Sequence, residues 1–418
     1  MNEKLFQFIW QQLKFDQRNL FTTKGEIVNI LYQGTLNADQ GPDFLNARLR
    51  INETLWAGSV ELHIKESDWK KHGHTNDVHY DNVILHVVLD ADCKEEERIL
   101  PTISLEGRIS KSLLETVSLL RSAADDLPCK NLLGVISNED FEFCNQRMLL
   151  EKWNDKCLHI FQSLKECNFH FDEALWRMIA SNFGTPVNNS SFETIAASIP
   201  WTIVRKVADQ PHALEALLLG QAGVLSKNFN DKYPLMLQKE YNFLLKKYRL
   251  VKADAPLYFL RMRPANFPTI RLVQLGAFIA RAQHLFALVR DAVNIMEISE
   301  MLNVSAGGYW DNHYRPDEEA AFLEKRLGEE MKRNVLINTF LPFLYAYGRH
   351  VQSPAIMNRS MDWLATLPPE NNRITRSFRD ARFLNRNASD SQALIYLKKN
   401  YCNERKCLQC NLGIKMLQ

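Results

Sequence analysis

The chain has 418 residues, 46% of them hydrophobic and 24% charged, with a formal net charge of +2. That is the balance of a soluble globular protein long enough for two or three domains, and it excludes a disordered chain or one that holds a polyanion by total charge. No run of about eighteen uninterrupted apolar residues is present, so no membrane partner is expected, and the N-terminus MNEKLFQFIWQQLKF lacks the pattern of a secretory signal. The expected location is cytoplasmic.

In chain order, Asn2 to Lys14 carries apolar residues at Leu5, Phe6, Ile9, Trp10 and Leu13, the spacing of an amphipathic helix. Glu26 to Tyr32 reads as a first strand closed by Gly34. Phe44 to Ile51 is a second, opened by Gly41-Pro42-Asp43, which breaks the chain and sets Asp43 at the strand's mouth. Leu55 to Lys65 alternates, with Trp56, Val60, Leu62 and Ile64 on a core side and Ser59, Glu61, His63 and Lys65 on the other. A polar, His-rich crossover follows, then a strand at Asn82 to Asp90 and another at Ile99 to Leu105. Beyond Arg108 the texture changes to helical patterns: Lys111 to Ala124, Glu139 to Cys167, Asp172 to Asn182, His212 to Leu225, Tyr233 to Tyr248, Pro268 to Met301, Glu318 to Tyr347 and Ser389 to Tyr401. The expected fold class is therefore α+β, with a small α/β domain over residues 1–107 and helical domains over 108–418.

Asp43 and Glu61, on paired strands, offer hard oxygen ligands for a divalent metal, with His63 and Lys65 on the same strand face as Glu61. The competing reading makes Asp43 a turn cap and the other three a solvated strand face. Five of the eleven histidines fall between His63 and His86. His72, His74 and His79 suit zinc by chemistry, although a polar surface loop is the simpler reading of all three, and His86 reads as a hydrogen-bonded core residue. At the C-terminus Cys402, Cys407 and Cys410 are spaced C-x4-C-x2-C, with Cys129 in a Leu-Pro-Cys turn as the best-placed fourth thiol. An iron–sulfur cluster or zinc is the expected occupant, against a bland alternative of reduced thiols. Arg261, Arg263 and Arg271, interleaved with Tyr258, Phe259 and Phe267, form a candidate nucleic-acid-binding stretch. Arg373 to Arg386 adds a second basic segment.

The order helix, strand, strand opened by Pro42-Asp43, strand carrying Glu61, crossover, strand resembles the PD-(D/E)XK nuclease superfamily. The resemblance implies a restriction-endonuclease-like mixed sheet, Mg²⁺ or Mn²⁺ held by Asp43 and Glu61, and phosphodiester hydrolysis of nucleic acid. The sequence departs from that pattern at His63, where the superfamily has lysine; Lys65, two residues further on, is the candidate replacement. The thiol layout is similar to that of nucleases clipped by a [4Fe–4S] cluster, with different spacing. The whole chain also resembles the bacterial family "domain of unknown function 2851", through GPDF, GSVELH with DW and HGH after it, VILHVV, LLLGQAG, RMRPANFPTIR and YCNERKCLQC; this implies no activity. The leading expectation is a metal-dependent nuclease. The alternatives are a non-catalytic nucleic-acid-binding scaffold and a zinc-dependent hydrolase.

Overall fold

A computed structural model of the chain describes every residue except 38, 95–99, 123–126, 261, 283 and 418. The fold is α+β: a mixed sheet near the N-terminus and a large helical region after it. Two compact units are present, one of Met1–Cys144 with Leu397–Gln418 and one of Asn145–Tyr396. The sheet-bearing unit thus extends past the expected division at 107/108. It also takes in the C-terminal segment, because Leu417 enters the sheet's core and Leu408, Ile414 and Met416 pack against it.

Helix α1, Glu3–Gln11, starts where the Asn2 side chain accepts the Leu5 N–H at 3.1 Å. Its apolar stripe of Leu5, Phe6, Ile9 and Trp10 is buried against the sheet. The strands are β1 Val28–Tyr32, β2 Thr35–Leu36, β3 Phe44–Ile51, β4 Thr54–Lys65, β5 Val83–Asp90 and β6 Thr102–Ser104. They lie in the order β1-β3-β4-β5-β6, with β2 on β3; β1, β3 and β4 form an antiparallel meander and β5 and β6 join in parallel. Of the strand expected at Ile99 to Leu105, Thr102–Ser104 is observed and residue 99 lies outside the described residues.

Two backbone features set the register beside the site. Asn46 has φ +60° and sits where Phe44 pairs with Val60 but Ala47 with Gly58, so β3 carries one extra residue, a β-bulge. Gly58 leaves no room for a side chain: a Cβ there would lie 2.5 Å from Ile84 Cγ2 and 2.6 Å from the Asn82 carbonyl oxygen. Along β4 the simple alternation fails. Trp56, expected inward, is exposed on the half of the strand that projects beyond the core, whereas both faces are buried from Gly58 to His63. A strand buried on both sides is characteristic of parallel pairing, and β5 is likewise buried from Val83 to Val88.

In the second unit the expected segments are helical, with two exceptions, and helices at Thr185–Ala197, Trp201–Val207, Pro354–Thr366 and Arg373–Asp380 join them. The long pattern at Pro268 to Met301 is three helices, Pro268–Arg281, Leu285–Asp291 and Ile295–Met301. The pattern at Glu318 to Tyr347 begins as a two-residue strand and becomes helical only at Glu329. No single helix among the described residues is long and apolar enough to cross a membrane. Among the acids this unit buries is Glu215, in the helix Pro211–Gln221. Its carboxylate accepts the Trp310 indole N–H at 2.6 Å and the Tyr233 hydroxyl at 3.0 Å. Burial outweighs both hydrogen bonds and pushes its pKa up to about 7.

Two predictions follow from the packing. Gly58→Ala forces a methyl group against backbone and should cost about 1–3 kcal/mol of stability in chemical unfolding. Because the Glu215 pKa is raised on folding, its contribution is fully present below about pH 4.5 and is lost as pH climbs through 7, a loss on the order of 3 kcal/mol. Thermal scans from pH 5 to 8 should show that decline, and Glu215→Gln, which keeps an acceptor for Trp310 and offers an N–H to the Tyr233 hydroxyl, should flatten it.

Candidate metal centre

The site lies where β3 opens, β4 is buried on both faces, and the crossover between β4 and β5 folds back over the sheet. Asp43 and Glu61 are tied by reciprocal main-chain bonds: the Asp43 N–H donates to Glu61 Oε2 at 3.0 Å, and the Leu62 N–H donates to Asp43 Oδ2 at 3.0 Å. Gln7 of α1 donates to Asp43 Oδ1 at 2.7 Å. Asp43 is half-buried, and Glu61 is only 5% exposed. Both carboxyls are held above the ordinary carboxylate range. Burial is the main cause for each, and the negative field of Asp43 adds to it at Glu61.

The crossover supplies the imidazoles. Helix α2, Asp68–Lys71, buries Trp69, and Gly73 at φ +78° turns the chain between His72 and His74. A 3₁₀ turn at Val78–Tyr80 then brings the Tyr80 ring onto His74, centroids 3.9 Å apart. The result is a cluster about His63, itself 2% exposed. His63 Nδ1 lies 2.9 Å from His86 Nε2, and His63 Nε2 lies 3.1 Å from His72 Nδ1. Glu61 Oε1 is 3.6 Å from both His63 Nε2 and His74 Nε2. One ring nitrogen from each of His63, His72 and His74 falls within 4.8 Å of the others.

The three imidazoles are grouped closely enough to share a single cation, with Glu61 Oε1 beside two of them. Nitrogen or oxygen ligands at about 2.0–2.2 Å in a tetrahedron stand about 3.3–3.6 Å apart. The protonation states suit one as well. Burial drives the pKa of His63 down to about 4 and that of His86 to about 3, and it also lowers that of His74, so these rings are neutral at physiological pH. In the tautomer in which His63 donates from Nδ1 to His86 Nε2, its own Nε2 lone pair faces Glu61 and His72, the arrangement in which an outer partner fixes the tautomer of a ligating histidine.

Of the residues singled out in the sequence, Asp43, Glu61 and His63 are brought together. The solvated strand face is not observed, since Glu61 and His63 are buried. Lys65 stands exposed at the end of β4, and its charged neighbour is Asp92. His79 pairs with Asp77 at 2.7 Å, and His63 rather than His79 completes the set with His72 and His74. His86 is a hydrogen-bonded buried histidine, as its apolar flanks suggest. Gln7 gave no signal in the sequence, because a lone glutamine on an amphipathic helix is unremarkable until the strand beside it is known.

The arginine stretch belongs to the second unit. Arg261 lies outside the described residues, and Arg263 is exposed. Arg271 corrects the expectation of a polyanion contact: it is buried, and its guanidinium donates to Asn266 Oδ1 at 2.5 Å and Gln274 Oε1 at 2.9 Å, holding the start of its own helix. Cys129, Cys402, Cys407 and Cys410 all fall in the sheet-bearing unit, and none forms a disulfide.

A family model described as "Protein of unknown function (DUF2851)" aligns with residues 3–373, a span that includes every residue of the carboxylate–imidazole cluster and ends before the three C-terminal cysteines. No curated protein and no solved structure matches. With 371 of 418 residues inside the family model, the chain belongs to the DUF2851 family.

Proposed function

We propose that this protein is a metal-dependent phosphodiesterase acting on nucleic acid, with its cation held by Glu61, His63, His72 and His74. The observation that carries the reading is the placement of Glu61 Oε1 3.6 Å from two imidazole nitrogens, with a third imidazole 3.1 Å from one of them. Support for the substrate class comes from the helix, meander, crossover and parallel strand, with Pro42-Asp43 and Glu61 at the positions that prompted the nuclease resemblance. Three imidazoles and one carboxylate favour Mn²⁺ or Zn²⁺ over Mg²⁺, which prefers oxygen ligands and its own water shell.

A divalent cation there would neutralise charge developing on a phosphoryl oxygen and lower the pKa of water. The protein's own groups have separable roles. Glu61 uses Oε2 to accept the Asp43 N–H, which leaves Oε1 directed at the imidazoles. Asp43, with both oxygens engaged by Gln7 and the Leu62 N–H, positions β4 against β3 and places negative charge beside Glu61. His86 orients His63.

The donor set also favours a second reading, a zinc-dependent hydrolase acting on another bond, because imidazole-rich sites serve many hydrolytic reactions. One assay separates the two. Full-length protein loaded with Mn²⁺, Zn²⁺ or Mg²⁺ is offered single- and double-stranded DNA, RNA, an aryl phosphodiester and an aryl ester. Cleavage of the nucleic acids or the diester, reduced about 100-fold or more in Glu61→Gln and His74→Ala with folding intact, is the expected result. Turnover of the aryl ester alone would transfer the assignment to the second reading, and no turnover of any substrate would remove both.

Metal binding itself should follow the protonation of the cluster. Burial keeps Glu61 protonated further up the pH scale than an ordinary glutamate, so affinity for Mn²⁺ or Zn²⁺ should rise with pH through neutrality, by about tenfold per unit while one proton is displaced. Titration calorimetry between pH 6 and 8.5 measures this. His86→Ala should weaken binding about 10–100-fold without removing a ligand.

A further inference from the structure

Four cysteines from separate stretches of the chain converge in the sheet-bearing unit, apart from the groups the proposed hydrolysis uses. Cys129 caps the 3₁₀ turn Lys130–Val135, and Cys410 caps the helix Asn411–Met416, which packs on that turn. Cys407 opens the turn just before this helix, and a Cβ on Gly413 would lie 2.1 Å from the Cys407 carbonyl oxygen, so the glycine is what lets the helix close on it. Cys402 ends the wide helical turn Lys398–Cys402. The Cys402 thiol interacts electrostatically with those of Cys129, Cys407 and Cys410, and Cys129 likewise with Cys407 and Cys410. Cys129 and Cys407 also pack against the sheet's core.

A shared pocket of thiols with apolar neighbours has no evident structural purpose, since a single apolar side chain would fill each place at less cost. Burial, together with the neighbouring thiols, holds the Cys402 thiol well above its ordinary range, and the buried Lys398 beside it acts in the opposite direction. The spacing in the chain discriminates between occupants: Cys402, Cys407 and Cys410 stand as C-x4-C-x2-C with a fourth cysteine, Cys129, far off in sequence, a layout that holds iron–sulfur clusters on four thiolates, whereas structural zinc sites take their cysteines as two close C-x2-C pairs.

We infer that Cys129, Cys402, Cys407 and Cys410 ligate a [4Fe–4S] cluster that fastens the C-terminal segment to the turn at Cys129. The site is independent of the proposed hydrolytic centre, and its ligands lie outside the matched family span apart from Cys129. The cluster supplies the cross-link that a disulfide would supply in an oxidising compartment, and its assembly completes this face of the unit.

The test is full-length protein purified without oxygen from iron-supplied cells, analysed for iron, acid-labile sulfide and zinc together with its visible spectrum. About four irons and four sulfides per chain and a brown protein are expected. Cys129→Ser and Cys410→Ser should each lose most of the cluster and lower the melting temperature, while Cys93→Ser and Cys157→Ser retain it. Stoichiometric zinc without sulfide overturns the inference. So does protein that stays iron-free after anaerobic reconstitution with ferrous iron and sulfide, and so does equal cluster loss in all four variants. The iron-to-sulfide content of the wild type decides the matter even where a serine variant does not fold.

Discussion

The structure around the candidate site depends on keeping one carboxyl and two imidazoles, those of Glu61, His63 and His86, dry. Burying ionisable groups costs several kcal/mol each unless they are neutralised or paired. Here the cost is limited by neutrality: His63 and His86 are pushed far below their usual titration range, and Glu61 far above its own. A neutral imidazole offers a lone pair to a cation and a protonated acid does not. The cluster is therefore part prepared for a metal and part opposed to it, and the opposing part is Glu61. Loading a cation would offset its deprotonation.

That balance is held by backbone rather than by side chains alone. The Asp43 N–H and the Leu62 N–H exchange hydrogen bonds across the β3–β4 pair with the two acids, and the bulge at Asn46 sets the register that makes both exchanges possible. Without the extra residue, the opening of β3 would slip by one position and Asp43 would meet a different partner. Gly58 plays the complementary part on the other edge, allowing β4 to run against the loop before β5 and so to place Glu61 opposite His86. The same two edges thus fix both layers of the site.

Much of this was legible in the sequence. The amphipathic helix, the strand order and the gathering of Asp43, Glu61 and His63 follow from periodicity and from the turn chemistry of Gly41-Pro42-Asp43. What could not be read was the second covering layer. Alternation along β4 places Glu61 and His63 opposite Val60 and Leu62, but it does not reveal that the crossover returns to bury them; that depends on Trp69 docking and on Gly73 turning left-handed. His72 lies exposed, as a polar surface loop has it, whereas His74 is half-buried against the Tyr80 ring for the same reason. A histidine-rich loop and a histidine-rich lid have the same composition, and only the tertiary fold decides which one is present. Arg271 shows the converse: an arginine between prolines looks free to grip a phosphate until its helix buries it against Asn266 and Gln274.

The two ligand sets differ in chemistry as well as in place, and the difference has a physical rationale. Thiolates bind soft and borderline ions far more tightly than a mixed imidazole–carboxylate set does, so cysteines near Glu61 would claim any zinc or iron offered to the site and hold it without an open position. Among the described residues the grouping about Glu61 contains only nitrogen and oxygen donors, whereas the C-terminal grouping contains only sulfur. Segregation of that kind lets one cell's metal supply serve both without exchange. It also divides the tasks: a closed set of four thiols suits a permanent cross-link, and a set that leaves room beside a carboxylate suits a centre where a substrate must enter.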